Sequence, residues 1–353
     1  MIARRGERNI HMAFNRRVAA LCVLAFLAAP AARAQDAAAF YRGRTIAFQV
    51  GSAAGDGYDQ YARVIARHMA KYVPGQPNIV VQNIPGGGSL LLANQFGNTT
   101  PRDGSVFGMF NNGMPTTPLL NPSVAKFDPR KFNFLGSPSR EVQAFVSWHE
   151  SPAKTFDDLF TKEIIVGGSA PGAATWDYPL LTNALLGTKF RVVTGYAGTA
   201  DQILAMQRGE LHANPAVAWV TMKTQHAARI ADKTMLVLGQ YGFRPHRDMP
   251  DVPLFPTGKT DDERAMFALM YARQDYGRPV LAPPDVPADR VAALRTAFDA
   301  ALADPELHAD AGRLGLDLEP LKGADLQALT ARLFDTPAAV VDQLQRLLGT
   351  RRQ

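Results

Sequence analysis

Thiol chemistry is nearly absent from this chain. One cysteine, Cys22, occurs in 353 residues, which leaves no pair for a disulfide, no set for a zinc site and no thiol nucleophile beyond residue 22. Long apolar runs are missing too. The longest, "VAALCVLAFLAA" from Val18 to Ala29, is too short to span a bilayer. Basic runs are scarce: after residue 34 no Lys/Arg run exceeds the pairs Arg130–Lys131 and Arg351–Arg352, so a nucleic-acid partner, which needs a basic patch, is not expected. The seven histidines (11, 68, 149, 212, 226, 246 and 308) include no pair at metal-ligand spacing. No metal and no cofactor is expected.

The positive formal charge of +6 is concentrated at one end. Six basic residues and one acid lie in the first 34, leaving 32 Lys+Arg against 31 Asp+Glu. That segment has the build of an export signal. Arg16–Arg17 close a basic region, Val18–Ala29 form the apolar stretch, and Ala32-Arg33-Ala34 offers an A-x-A cleavage site. The mature chain then begins near Gln35 and lies in the periplasm, without a thiol. Met12 serves as well as Met1 as initiator, since Met12 to Arg17 is already a complete basic region. Arg16–Arg17 is also the minimal mark of a twin-arginine signal.

Beyond residue 40, strand-like and helix-like segments alternate. "RTIAFQV", "NIVVQNI", "SVFGMF", "FNFLGS", "EVQAFVSWH", "EIIVGG", "KFRVVTG", "LHANPAV" and "TMLVLGQ" have strand character. "YDQYARVIARHMAKYV", "SLLLANQFGN", "TFDDLF", "TWDYPLLTNALLG" and "TADQILAMQRG" have helix character. "ADRVAALRTAFDAALAD" and "ADLQALTARLFDTPAAVVDQLQRLLG" predict amphipathic helices at the end of the chain. The alternation predicts an α/β protein with parallel sheets and helices on both faces.

Four loops rich in small residues follow predicted strands: Gly51–Gly57, Pro85–Ser89, Gly167–Ala174 and Gly195–Thr199. In open α/β sheets ligands gather there, outside the strand ends. Two loops precede residue 100 and two follow 165, which predicts two lobes facing one cleft. Such a loop lets the backbone approach a ligand, and the amides of the next helix point at it, so a carboxylate is held without Arg or Lys. Ordinary βα connections use the same residues as caps. Enzyme motifs fail on single residues. A dinucleotide fingerprint needs a small residue where Gln60 or Leu91 stands. A Walker loop before Gly258-Lys259-Thr260 needs glycine where Pro253 stands, and a nucleophile elbow at Ser169 needs glycine where Pro171 stands. An exported hydrolase using Ser169 or an acid pair is the rival reading, and a ligand-sensing adaptor without a transporter is a third.

The segments "FYRGRTIAFQVGSAAGDGYDQYARVIARHM", "PNIVVQNIPGGGSLLLANQF", "PRDGSVFGMF", "FDPRKFNFLGSPSREVQAFVSWHESPAKTFDDL", "LLGTKFRVVTGYAGTADQILAMQRGEL" and "VLAPPDVPADRVAALRTAFDAAL", in this order, resemble the periplasmic solute receptors of tripartite tricarboxylate transporters, the Bug or TctC-like family. The resemblance implies a two-lobed, type II Venus-flytrap fold with a parallel-rich mixed sheet in each lobe. Lobe I is expected over 35–139 and 272–353, and lobe II over 140–271. It implies a monomeric, non-enzymatic receptor for a small organic acid, delivering it to membrane permease subunits. By motif, first-lobe contacts fall at Ser52, Ala53, Gly55, Asp56, Tyr58, Asp59, Gly86, Gly87 and Ser89. Second-lobe contacts fall at Ser169, Gly172, Ala173, Thr175, Tyr196, Gly198, Thr199 and Asp201. Thr199 with Gln202 also fits a capping box. Position 56 is usually glycine in this family. A carboxylate there repels a ligand carboxylate unless it caps the helix or meets an ammonium.

Overall fold

The computed structural model describes residues 37–350, apart from 170, 171 and 197. Eleven strands run β1 Thr45–Val50, β2 Asn78–Asn83, β3 Val106–Met109, β4 Asn133–Ser137, β5 Gln143–Trp148, β6 Ile164–Gly167, β7 Phe190–Val193, β8 Ala213–Ala218, β9 Met235–Tyr241, β10 Val280–Ala282 and β11 Leu321–Lys322. They form two mixed sheets, ordered β11-β4-β10-β3-β1-β2 and β7-β6-β8-β5-β9. In the first, β1 lies parallel to β2 and β3; in the second, β6 lies parallel to β7 and β8. Antiparallel strands complete each sheet: β10 and β11 in the first, and β5, which pairs with β8 and β9, in the second. The α/β class is the one expected from the alternation, and the two parallel-rich mixed sheets are those the resemblance implies.

Local sequence explains the elements nearest the cleft. Ile46, Phe48 and Val50 alternate in β1 and are fully buried, with Phe48 packed on Phe107 of β3 at 4.4 Å between ring centroids. The helix Gly57–Met69 buries Tyr61, Val64, Ile65 and Met69, a stripe at helical spacing. It packs on β2 and on the helices Ala288–Leu302 and Pro305–Arg313. Each such side chain contributes roughly 1.5–3 kcal/mol of burial.

The chain passes from the first sheet to the second between Ser137 and Gln143, and returns through the helix Asp261–Tyr276 to β10. The two crossings lie side by side. Glu141 donates its amide to Gln274 O at 3.1 Å, and Arg278 donates its amide to Ser137 Oγ at 3.0 Å. A large core continues across both sheets at this end. It contains Phe134 and Phe145, Met266, Phe267, Leu269, Met270, Tyr271, Ala272 and Tyr276 of the crossing helix, and Val340, Val341, Leu344 and Leu348 of the C-terminal helix Ala338–Leu348.

Two local expectations are corrected. The run from Ala324 to Gly349 is two helices, Gly323–Phe334 and Ala338–Leu348, because Pro337 disfavours helical backbone at the residue before it. Thr199 and Gln202 form no capping box. Gly198 is the N-cap, and the Gln202 side chain turns into the lobe to meet Ser169 and Asn214. A complete capping box is formed instead by Thr260 and Glu263, at the start of the crossing helix.

Candidate functional site

The loop after β1 is drawn tight by side chains rather than left open. Asp56 caps the helix Gly57–Met69: its Oδ1 accepts from the Asp59 amide at 3.0 Å and from Ser52 Oγ at 2.9 Å. Asp59, 2% exposed, accepts from the Gly55 amide and Arg63 Nε, both at 2.8 Å, and from Asn83 Nδ2 at 2.9 Å. Burial raises the Asp59 carboxyl, but these three donors outweigh it and hold it below the ordinary carboxylate range. A depressed carboxylate stabilises the fold above its unfolded pKa, and that stability is lost as pH falls through the folded value. Asp59→Asn is therefore expected to cost about 1–3 kcal/mol at neutral pH. Urea denaturation of both proteins should show the gap narrowing below pH 4; a gap constant with pH counts against this role.

The next loop is held to the first. Ser89, at φ +79°, donates its hydroxyl to Gly51 O at 2.9 Å and accepts the Asn111 amide at 2.9 Å. Gly87 and Gly88 precede it at φ +55° and +61°, backbone that glycine adopts without strain. The helix Leu90–Asn98 starts there. From the second sheet, the loop after β6 leads into the helix Ala174–Leu186. Its Gly172 amide donates to Asp177 Oδ1 at 3.0 Å, and the Ser169 amide donates to Thr175 Oγ1 at 3.2 Å.

These two loops face each other across a cavity of about 650 Å3. Gly87, Gly88 and the stretch from Asn111 to Val124 line it from the first sheet's side. Ser169, Gly172 to Thr175, and Asp177 line it from the second. Glu141 and Gln143 enter from one crossing, Arg273 from the other, and Leu348 and Thr350 from the C-terminus. The first amides of a helix have no acceptor inside it, and the dipole adds positive potential at that end. Here the starts of two helices, one per sheet, border a single cavity, although the Leu90 and Leu91 amides at the first already donate to Gly87 O and Gly86 O at 3.2 and 3.3 Å. The charged side chains on its walls are mutually engaged. Arg273 Nη2 meets Asp177 Oδ2 at 3.0 Å and its Nη1 donates to Gly172 O at 3.2 Å; Glu141 lies 3.8 Å from Arg278. Burial pushes the Asp177 carboxyl up against the pull of Arg273 and the Gly172 amide. Burial likewise raises the Tyr58 phenol, whose oxygen accepts the Asn112 amide at 3.1 Å.

Of the residues singled out by motif, Tyr58, Gly87, Ser169, Gly172, Ala173 and Thr175 line this cavity. Gly55 and Asp56 instead border a smaller crevice of about 210 Å3, between the first loop and the helix Trp219–Gln225, with Arg278 in its wall. Asp59 and Ser89 are buried behind their loops. Ser52, Ala53, Gly86, Tyr196, Gly198, Thr199 and Asp201 are outside the cavity wall. Glu141, Gln143, Arg273, Leu348 and the Asn111–Val124 segment carry no motif, and sequence reasoning missed them.

Ser169 Oγ accepts from Thr175 Oγ1 at 3.3 Å and Gln202 Nε2 at 3.4 Å, and neither is a base. Among the described residues, His68 with Asp304 and Glu306, and His246 with Asp248 and Asp317, gather metal-type donors. In each cluster a lysine ammonium already bridges the acids: Lys71 at 2.7 and 2.8 Å, and Lys223 at 2.5 and 3.1 Å. None of the described helices is long and apolar enough to cross a membrane.

No family model and no curated protein sequence matches the chain. Solved structures do. A TctC solute-binding protein from Polaromonas superposes with a TM-score of 0.64 at 19% identity, covering 86% of this chain and 99% of its own. The periplasmic binding protein BugD gives 0.62 at 20%, covering 89% and 100%. An R. palustris protein solved with adipate gives 0.64 at 18%, covering 87% and 97%. With two mixed α/β sheets and a cavity between the ends of their parallel strands, the chain has the two-lobed fold of the TctC and Bug periplasmic binding proteins.

Proposed function

We propose that this protein is a periplasmic receptor that captures a small organic acid between its lobes and delivers it to a membrane permease of the tripartite tricarboxylate type. The lobes are residues 35–139 with 272–353, and residues 140–271; the first 34 residues are the export signal. The observation that carries this reading is the cavity bordered by two helix starts, one per sheet, whose charged side chains already have partners. An incoming carboxylate then meets the opening amides of the helix Ala174–Leu186 and the Ser169 hydroxyl, and buries no unpaired protein charge. The shared fold with a protein solved with adipate supports the same ligand class. Asp56, engaged with Ser52 and Asp59, acts as a helix cap and leaves the cavity to the anion. A hydrolase reading lacks a base beside Ser169.

Capture requires closure around the ligand. Ion pairs outside the cavity join the two lobes. Asp317, in the segment before β11, accepts from Lys223 at 2.5 Å and Arg247 at 3.3 Å, and Glu319 lies 3.6 Å from Arg244. Partly exposed pairs of this kind are worth up to about 1 kcal/mol each. Titration calorimetry against organic acids and their amides should show saturable binding of acids alone. Small-angle scattering of Asp317→Asn should show a larger radius of gyration without ligand, brought back by a bound acid. Binding of amides as tightly as acids would overturn the proposal.

A further inference from the structure

The walls of the cavity differ in kind. One wall is the pair of helix starts, with Gly87, Gly88, Ser169 and Thr175. The other is apolar: Met114, Leu120, Val124 and Leu348. Leu120 and Leu348 belong to the core behind it, and Met114 packs against that core. Two bonds fix the C-terminal helix to this wall: Gln345 Nε2 donates to Leu119 O and Thr350 Oγ1 to Leu120 O, both at 2.6 Å. The hydroxyls on this side are spent. Thr116 and Thr117 both donate to Gly113 O at 3.0 Å, and Thr350 to Leu120 O. Among the described residues of this wall, the Asn111 and Asn121 amides have donors left over; their Oδ1 atoms take the Gly113 amide at 3.0 Å and Ser123 Oγ at 2.8 Å. Val124 itself is 36% exposed, a large apolar side chain kept at the edge of a cavity rather than in the core.

We infer that the cavity takes a monocarboxylate with an apolar body of several carbons in preference to a short dicarboxylate. The acid group lies at the two helix starts and the body against Met114, Leu120, Val124 and Leu348. This rests on the acid-receptor reading above and sharpens it. A second carboxylate against the apolar wall would shed its water for at most the amide donors of Asn111 and Asn121, too few for a buried charge, which is unfavourable. An apolar body there leaves water for contacts with Leu, Val and the adaptable Met114. A cavity of about 650 Å3 also lies mid-range for sites that enclose ligands larger than a short diacid.

The test is calorimetry of the exported protein with acetate, butyrate, hexanoate, octanoate and succinate at neutral pH. Affinity should rise about fourfold for each buried methylene until the cavity is full, and hexanoate should bind at least about tenfold more tightly than succinate. Val124→Ser, which removes apolar surface without adding charge at an exposed position, should keep the melting temperature and flatten the chain-length trend. Succinate binding as tightly as hexanoate, or a flat trend in the native protein, would overturn the inference and leave the acid-receptor reading standing. Failure of every acid to bind would overturn both.

Discussion

Arg273→Met is expected to lower stability by about 3–5 kcal/mol and to abolish acid binding in the fraction that still folds. Arg273 is 3% exposed and Asp177 1%. Removing the guanidinium strands a carboxylate in the interior, where an uncompensated charge is at its most costly. It also releases Gly172 O, and with it the loop that opens the helix Ala174–Leu186, from the crossing helix. The sign of the Asp177 shift allows a sharper test. Its carboxyl is raised, so the ionised form is disfavoured in the folded state, and stability from this group falls as pH rises through the folded value. The pair is therefore a weak source of stability at neutral pH, although breaking it is expensive. Arg273→Met combined with Asp177→Leu should recover most of the stability lost in the single variant. It should not recover binding, because both tethers of the Gly172 turn, the Asp177 oxygen and the Arg273 guanidinium, are gone. Urea denaturation and calorimetry on the two variants separate these effects. A double variant that binds as the native protein does would show that the loop holds its shape unaided.

The parts legible in the sequence were those whose pattern is local. The units around β1, β2 and β6 declare themselves through short apolar strands and small-residue loops, and the first of them also through a helix with one apolar stripe. The crossing helix Asp261–Tyr276 did not, beyond its opening acids. It buries Met266, Phe267, Leu269, Met270, Tyr271, Ala272, Arg273, Gln274 and Tyr276, which leaves no single apolar face to detect. Arg273 was hidden with it. β10 and β11 are only three and two residues long and are fixed by antiparallel pairing with strands far away in sequence. In the site, loops with similar composition came to different ends. Pro85–Ser89 and Gly167–Ala174 reach the cavity, while Tyr196 packs against a cluster inside the second sheet's domain. Composition marks a loop able to approach a ligand. Which loop does so depends on where the crossings and the C-terminal helix place the walls, and that information lies in long-range packing.

The crossings carry their own expectation. Gly277→Ala should cost about 3 kcal/mol or more, and weaken acid binding in whatever protein remains folded. Gly277 ends the crossing helix at φ +55°, where a side chain adds roughly 1–2 kcal/mol of backbone strain. A Cβ there would stand 1.7 Å from Ser139 O, a main-chain atom of the other crossing. No rotamer relieves that contact, so the two segments must separate, and overpacking of this kind adds about 1–3 kcal/mol. Separation strains the bonds that fasten the crossings: Glu141 N to Gln274 O, Arg278 N to Ser137 Oγ, and Arg278 Nη1 to Ser139 Oγ at 3.0 Å. Glu141 and Arg273 enter the cavity from these same segments, so a shift here moves the cavity wall as well. Gly43→Ala is the matched control. Gly43 has φ +68°, and a Cβ added to it meets nothing within 4 Å, so that variant carries the backbone strain alone. Thermal denaturation should rank the native protein above Gly43→Ala and Gly43→Ala well above Gly277→Ala. Calorimetry with a bound acid should show weakening only for Gly277→Ala. Equal losses from the two substitutions would mean that the crossings yield freely at Ser139, and that closure does not depend on their spacing.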